Sequence, residues 1–119
     1  MLKNKSHLKF KGEYYPLIKD GRKTQTMRIP PKRIDNIKEH DLVVAVFTDR
    51  PEQLLLEITK MGYKNFGSIT DDDAKREGFR NAAELKHELE TIYTTYTLDN
   101  YNRLYYYQFV VAGVMEVVQ

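Results

Sequence analysis

Leu42-Val-Val-Ala-Val-Phe-Thr48 is an unbroken apolar run with no charged residue in it. A run of that length and composition predicts a strand buried on both faces. Asp49-Arg50-Pro51-Glu52 follows as a turn. Residues 53–60 return as a second strand that can extend towards Phe66. Near the other end, Arg103-Leu-Tyr-Tyr-Tyr-Gln-Phe-Val-Val-Ala-Gly-Val-Met-Glu-Val-Val118 reads as one long strand, bent or bulged at Gly113. Segments as apolar as 42–48 and 109–118 make poor open edges, and closure into a barrel removes the edge.

Working outward, His7-Leu-Lys-Phe-Lys11 alternates apolar with polar, as a half-buried strand does. Residues 13–20 read as a short helix, with Pro16 in its first turn and Gly21 as its stop. Lys23 to Ile29 is a β-rich run ended by Pro30-Pro31. Residues 32–41 read as a loop. Thr70 and Asp73 form a capping-box pattern, and Asp71, Asp72 and Asp73 suit the positive end of a helix that stops near Gly78. A second helix starts near Asn81, with Leu85, Leu89 and Ile92 on one face. Residues 94–102 form a polar, tyrosine-rich loop. This order lacks regular βαβ alternation and predicts a mixed α+β barrel rather than a parallel sheet.

The 119 residues fit one domain, 1–119, which can bury a core without a metal or disulfide. With no cysteine there is no disulfide framework and no thiolate nucleophile. No signal peptide and no membrane-length apolar run is recognised, so a cytoplasmic location is expected. Charge is unevenly placed: residues 1–39 hold eleven Lys and Arg against four Asp and Glu, and the remaining eighty hold eight against thirteen. That asymmetry suits either a polyanion-facing surface or a solubilising edge.

The chemistry-bearing stretch is Gly21-Arg22-Lys23-Thr24-Gln25-Thr26-Met27-Arg28. In a regular strand Thr24, Thr26 and Arg28 share one face, and Gln25 and Met27 the other. Lys23 joins Thr26 only if residues 21–23 belong to a turn, which Gly21 permits. Arg28 has a planar fork suited to phosphate or a base edge. A desolvated Lys23 beside Arg28 would act as a general base towards the Thr26 hydroxyl. On local pattern alone, a Lys-Thr-x-Thr-x-Arg strand is more often a solvated barrel face than a site.

The same stretch resembles the ASCH-domain signature, a Gly-x-Lys-x-x-Thr-x-Arg run after a short helix. Ile69-Thr-Asp-Asp-Asp-Ala-Lys-Arg-Glu-Gly-Phe79, Glu84-Leu85 and Ile92-Tyr93 are also similar to that family, and the likeness spans residues 7–115. The resemblance implies an α+β fold, a PUA-like mixed β-barrel with short helices covering one opening, and a cleft for RNA or a modified nucleoside. One activity in the family is amidohydrolysis of N(4)-acetylcytidine. Carried over by motif, its proposed catalytic set falls on Lys23, Thr26 and Glu77. Substitutions there are expected to abolish deacylation with the fold intact. His40-Asp41 departs from the family's Gly-Asp turn before the apolar strand.

Arg22, Arg28, Lys32 and Arg33 are the expected RNA-contacting bases, and Tyr93, after the covering helix, is the candidate stacking residue. No metal or cofactor is expected, since His7, His40 and His87 are scattered and no ligand spacing is present. The alternative to an enzyme is a non-catalytic RNA-binding module with the same basic cleft. Metal-independent RNA cleavage is a third reading.

Overall fold

Two long partners carry the architecture. In the computed structural model, which describes residues 6–29, 37–94 and 97–115, β4 (Gln53–Asn65) and β5 (Arg103–Met115) pair antiparallel along almost their whole lengths. The apolar run forms β3 (Leu42–Phe47), antiparallel to β4. Its Val43, Val44, Ala45 and Phe47 are all buried, as an unbroken apolar strand requires. β1 (His7–Phe10) lies parallel to β3, and β2 (Gln25–Arg28) antiparallel to β5. The sheet order is β1-β3-β4-β5-β2.

The expected barrel closure is not made. Among the described residues no ladder joins β1 to β2, and the sheet stays open between them. Both are only four residues long, too short to wrap round and pair. A side chain spans the gap instead: Arg28 Nη2 donates to the carbonyl of Lys9 at 2.7 Å.

The remaining elements match their local signals. Residues Gly12–Tyr14 form a 3-10 turn that leads into α1 (Tyr15–Lys19), with Pro16 in its first turn. α2 (Asp71–Glu77) has a complete Thr70/Asp73 capping box and ends on Gly78 at φ +94°. α3 (Ala82–Ile92) is capped by Asn81, whose side chain accepts from the Glu84 N–H at 3.0 Å. Leu85 and Leu89 are buried, but Ile92 is 43% exposed and leaves the predicted stripe. The β5 bulge falls at Ala112, beside Gly113, and a second irregularity falls at Thr59 in β4. The end of the predicted strand, 116–118, lies outside the described residues.

The sheet has a core on each face. One joins Phe10, Phe47, Leu56 and Phe109 to Ile18 of α1; the other joins Met27 and Leu104 to Ala74, Leu85 and Leu89 beneath α2 and α3. The Tyr106 ring on this second face lies over its cross-strand partner Gly62. A Cβ at 62 would meet ring carbons of Tyr106 at 2.8 Å. Gly62→Ala is expected to cost about 1–2 kcal/mol, read from urea unfolding, because the ring must shift. Unchanged stability would show that the ring moves freely.

Candidate functional site

The turn after α1 decides where Lys23 points. Gly21 adopts φ +83°, and the N–H groups of Arg22 and Lys23 both donate to the Leu17 carbonyl, each at 2.9 Å. β2 starts only at Gln25, so residue 23 belongs to the turn. The same turn is tied to α2, since the Thr24 N–H donates to the Arg76 carbonyl at 2.7 Å. Gly78 then ends α2 immediately after Glu77.

These two chain stops bring Lys23 onto Glu77. Lys23 Nζ donates to Glu77 Oε1 at 3.2 Å and to the Glu77 carbonyl at 3.1 Å. Both side chains are 3% exposed. The Tyr14 ring centre lies 4.7 Å from Nζ, a cation–π contact. Glu77 Oε2 is buried and accepts no hydrogen bond. Burial lifts the Glu77 carboxyl above its ordinary range, against the pull of the Lys23 ammonium. A buried ion pair with an orphaned oxygen is a costly arrangement for stability alone.

A second carboxylate completes this cluster. Glu88 Oε2 accepts from the Tyr14 hydroxyl at 2.6 Å and from Lys11 Nζ at 2.8 Å. Partial burial would raise Glu88, but the Lys11 and Tyr14 hydrogen bonds outweigh it and hold it below the usual range. Burial and the Glu88 partner push the Tyr14 hydroxyl up. Neither residue stood out in the sequence. The available signal was helical phase: Glu88 follows Leu85 by three, which turns a charge towards the packed side.

Thr26 and Arg28 sit on the opposite face of β2 from Met27, paired with Tyr107 and Tyr105. Thr26 is buried, and its hydroxyl accepts from Arg28 Nε at a long 3.5 Å. No hydrogen bond joins it to Lys23 or Glu77 among the described residues. The Arg28 guanidinium lies 5.0 Å from the Phe10 ring centre. It also walls a cavity of about 210 Å³ with His7, Leu8, Ile29, Tyr93, Tyr105 and Tyr107. The Tyr93 hydroxyl accepts from the Ile29 N–H at 3.4 Å, which orients its ring there. The space is below the roughly 300–1,000 Å³ of drug-sized pockets.

Arg28 and Tyr93 are therefore brought together, as are Lys23 and Glu77. Arg22 is not gathered in: its exposed guanidinium pairs with Asp20 at 2.8 Å. Lys32 and Arg33 lie outside the described residues. Among the described residues no three His, Asp or Glu side chains form a metal-holding group. No described helix is long and apolar enough to cross a membrane.

No protein-family model matches the sequence, and no curated protein matches it. Solved structures do. A protein of Enterococcus faecalis placed in the family DUF984 superposes with TM-score 0.76 at 16% identity, over 96% of this chain and 79% of its own. An ASCH domain from Lactobacillus crispatus gives TM-score 0.70 at 18% identity, over 81% of this chain and 68% of its own. A hypothetical protein gives 0.66 at 16% identity, over 90% and 98%. Identities this low carry the fold and not the activity.

Proposed function

Taking as premise that the chain has an ASCH-like fold, we propose that it binds a modified nucleoside or RNA base and hydrolyses an amide on it, of the N(4)-acylcytidine type. The observation that carries this reading is the buried Lys23–Glu77 pair, with Oε2 unpartnered among the described residues, at the start of β2, the strand whose other end holds Arg28 in a base-sized aromatic cavity. A buried carboxyl raised by desolvation and held against a specific charge partner is a functional-site candidate.

Amide hydrolysis needs a base for the nucleophile and a proton for the leaving nitrogen. The reacting form is the neutral pair, with the shared proton on Glu77 and Lys23 as the free amine. The Lys23 amine then takes one from the Thr26 hydroxyl or from a water, and that oxygen attacks the acyl carbonyl. The Arg28 guanidinium stabilises the oxyanion. Collapse breaks the carbonyl–nitrogen bond, and Glu77 returns its proton to the departing amine. If Thr26 attacks, the acyl group passes to its oxygen and one water then releases it as a carboxylic acid, restoring the hydroxyl. The net reaction consumes one water.

The test is incubation with N(4)-acetylcytidine and chromatography of the products. Wild type should release cytidine and acetate in equal amounts. Thr26→Ala is expected to lower the rate about 100-fold without loss of fold, because among the described residues its hydroxyl holds a single long hydrogen bond. The non-catalytic module reading is favoured by one observation, the missing link between Thr26 and the Lys23–Glu77 pair. It prevails if wild type releases no acyl group but binds RNA with a steep salt dependence.

A further inference from the structure

The aromatic cavity does not end at Tyr105. Tyr63 of β4 is the cross-strand partner of Tyr105, and the two rings lie 4.6 Å apart with their hydroxyls 3.1 Å apart. Tyr105 in turn stacks on Tyr107 at 6.4 Å. One face of the sheet thus carries three tyrosines in a row, from the first cavity out to Tyr63, which is 52% exposed. Arg103, two residues before Tyr105 and on the same face, places its guanidinium 5.3 Å from the Tyr63 ring centre. Tyr63 and Arg103 line an open cavity of about 480 Å³ with Lys64, Asn65 and Ser68.

The charge of Arg103 is the telling feature. Arg22, Arg50, Arg76 and Arg80 each pair with a carboxylate. Arg103 is exposed and, among the described residues, has no carboxylate within ion-pair reach. It rests on an aromatic face, the position from which a guanidinium also stacks on a base and reaches a phosphate.

We propose that Tyr63 and Arg103 form a second stacking subsite, for the nucleotide next to the one in the Arg28–Tyr93–Tyr105 cavity, and that the ligand is therefore a single-stranded RNA rather than a free nucleoside. This rests on the base-binding reading of the first cavity. Tyr105 is shared: it walls the first cavity and abuts the ring of the second. Adjacent bases of one strand can meet the two sites without leaving the sheet face. An aromatic platform of this kind tolerates any base, because every base has a π-face.

The test measures binding of a fluorescein-labelled short single-stranded RNA by anisotropy, and of N(4)-acetylcytidine by calorimetry. Tyr63→Ala and Arg103→Ala are expected to weaken RNA binding about 5- to 100-fold, the loss of one base stack. Tyr63→Phe, which keeps the ring, should bind RNA like wild type. Nucleoside binding should be unchanged by Arg103→Ala, the cleaner variant because Tyr63 supports Tyr105. RNA binding unaffected by both alanine variants overturns the subsite. So does wild type that binds the nucleoside but gains nothing from RNA, with the first reading left standing. Wild type that binds neither removes both.

Discussion

Glu77→Gln is expected to abolish acyl release and to cost about 3–5 kcal/mol of folding stability. The second effect follows from burial. Lys23 and Glu77 are each 3% exposed, so losing the carboxylate strands an ammonium that water cannot reach. Lys23→Ala should be nearly as damaging, since Glu77 would then be a buried carboxyl without its ammonium partner. The sequence-based expectation that such variants leave the fold intact is therefore kept as a prediction for Thr26→Ala and replaced for the other two by a predicted loss of stability. A paired replacement separates the two roles. Lys23→Met with Glu77→Leu removes both charges and keeps the volume, and replacing a buried ion pair in this way is often neutral or stabilising. The double variant is expected to unfold in urea at or above the wild-type midpoint while releasing no acyl group. A double variant as unstable as Glu77→Gln would mean that the pair holds the fold through more than its charges. Acyl release surviving in it would end the catalytic assignment.

Much of this arrangement was legible because it is local. Pro16 and Gly21 bracket α1, and Thr70, Asp73 and Gly78 bracket α2. Those stops fix where Lys23 and Glu77 leave their elements. The condition placed on Lys23, that 21–23 form a turn, is met because β2 begins only at Gln25. Closure of the sheet was not legible. It depends on how far two four-residue strands reach, which no local pattern encodes. The contact of Tyr14 with Glu88 spans 74 positions and needs α3 docked before it exists. The irregularities at Thr59 and Ala112 offset one another, so Tyr63 faces Tyr105 in the same register that pairs Gln53 with Met115, while Leu56 to Ile58 between them are shifted by one. Gly113 marked the second of these approximately, and nothing in the sequence marks the first. Cross-strand neighbours are set by such single-residue slips.

Asp73→Asn tests the support behind the site, and its expected cost is about 3 kcal/mol at neutral pH. Asp73 Oδ2 accepts from Lys64 Nζ at 2.6 Å and from the Thr70 N–H and hydroxyl, each at 3.0 Å. Oδ1 accepts from Arg76 Nη2 at 3.0 Å and, weakly, from Gln25 Nε2 at 3.4 Å. Burial pushes the carboxyl up, but these donors outweigh it and hold Asp73 well below the usual carboxylate range. Asparagine keeps the shape and the cap but forfeits both cationic partners. The sign of the pH effect follows. A depressed folded-state value gives stability that is present above the unfolded value, about 3.9, and is lost as pH falls below it. Urea midpoints measured on either side of about pH 4 should therefore show a wild-type acid limb that Asp73→Asn flattens. Equal acid limbs in wild type and Asp73→Asn would show that Lys64 and Arg76 do not stabilise the folded carboxylate. The Gln25–Asp73–Arg76 network would then not be what anchors α2, and with it Glu77, against β2.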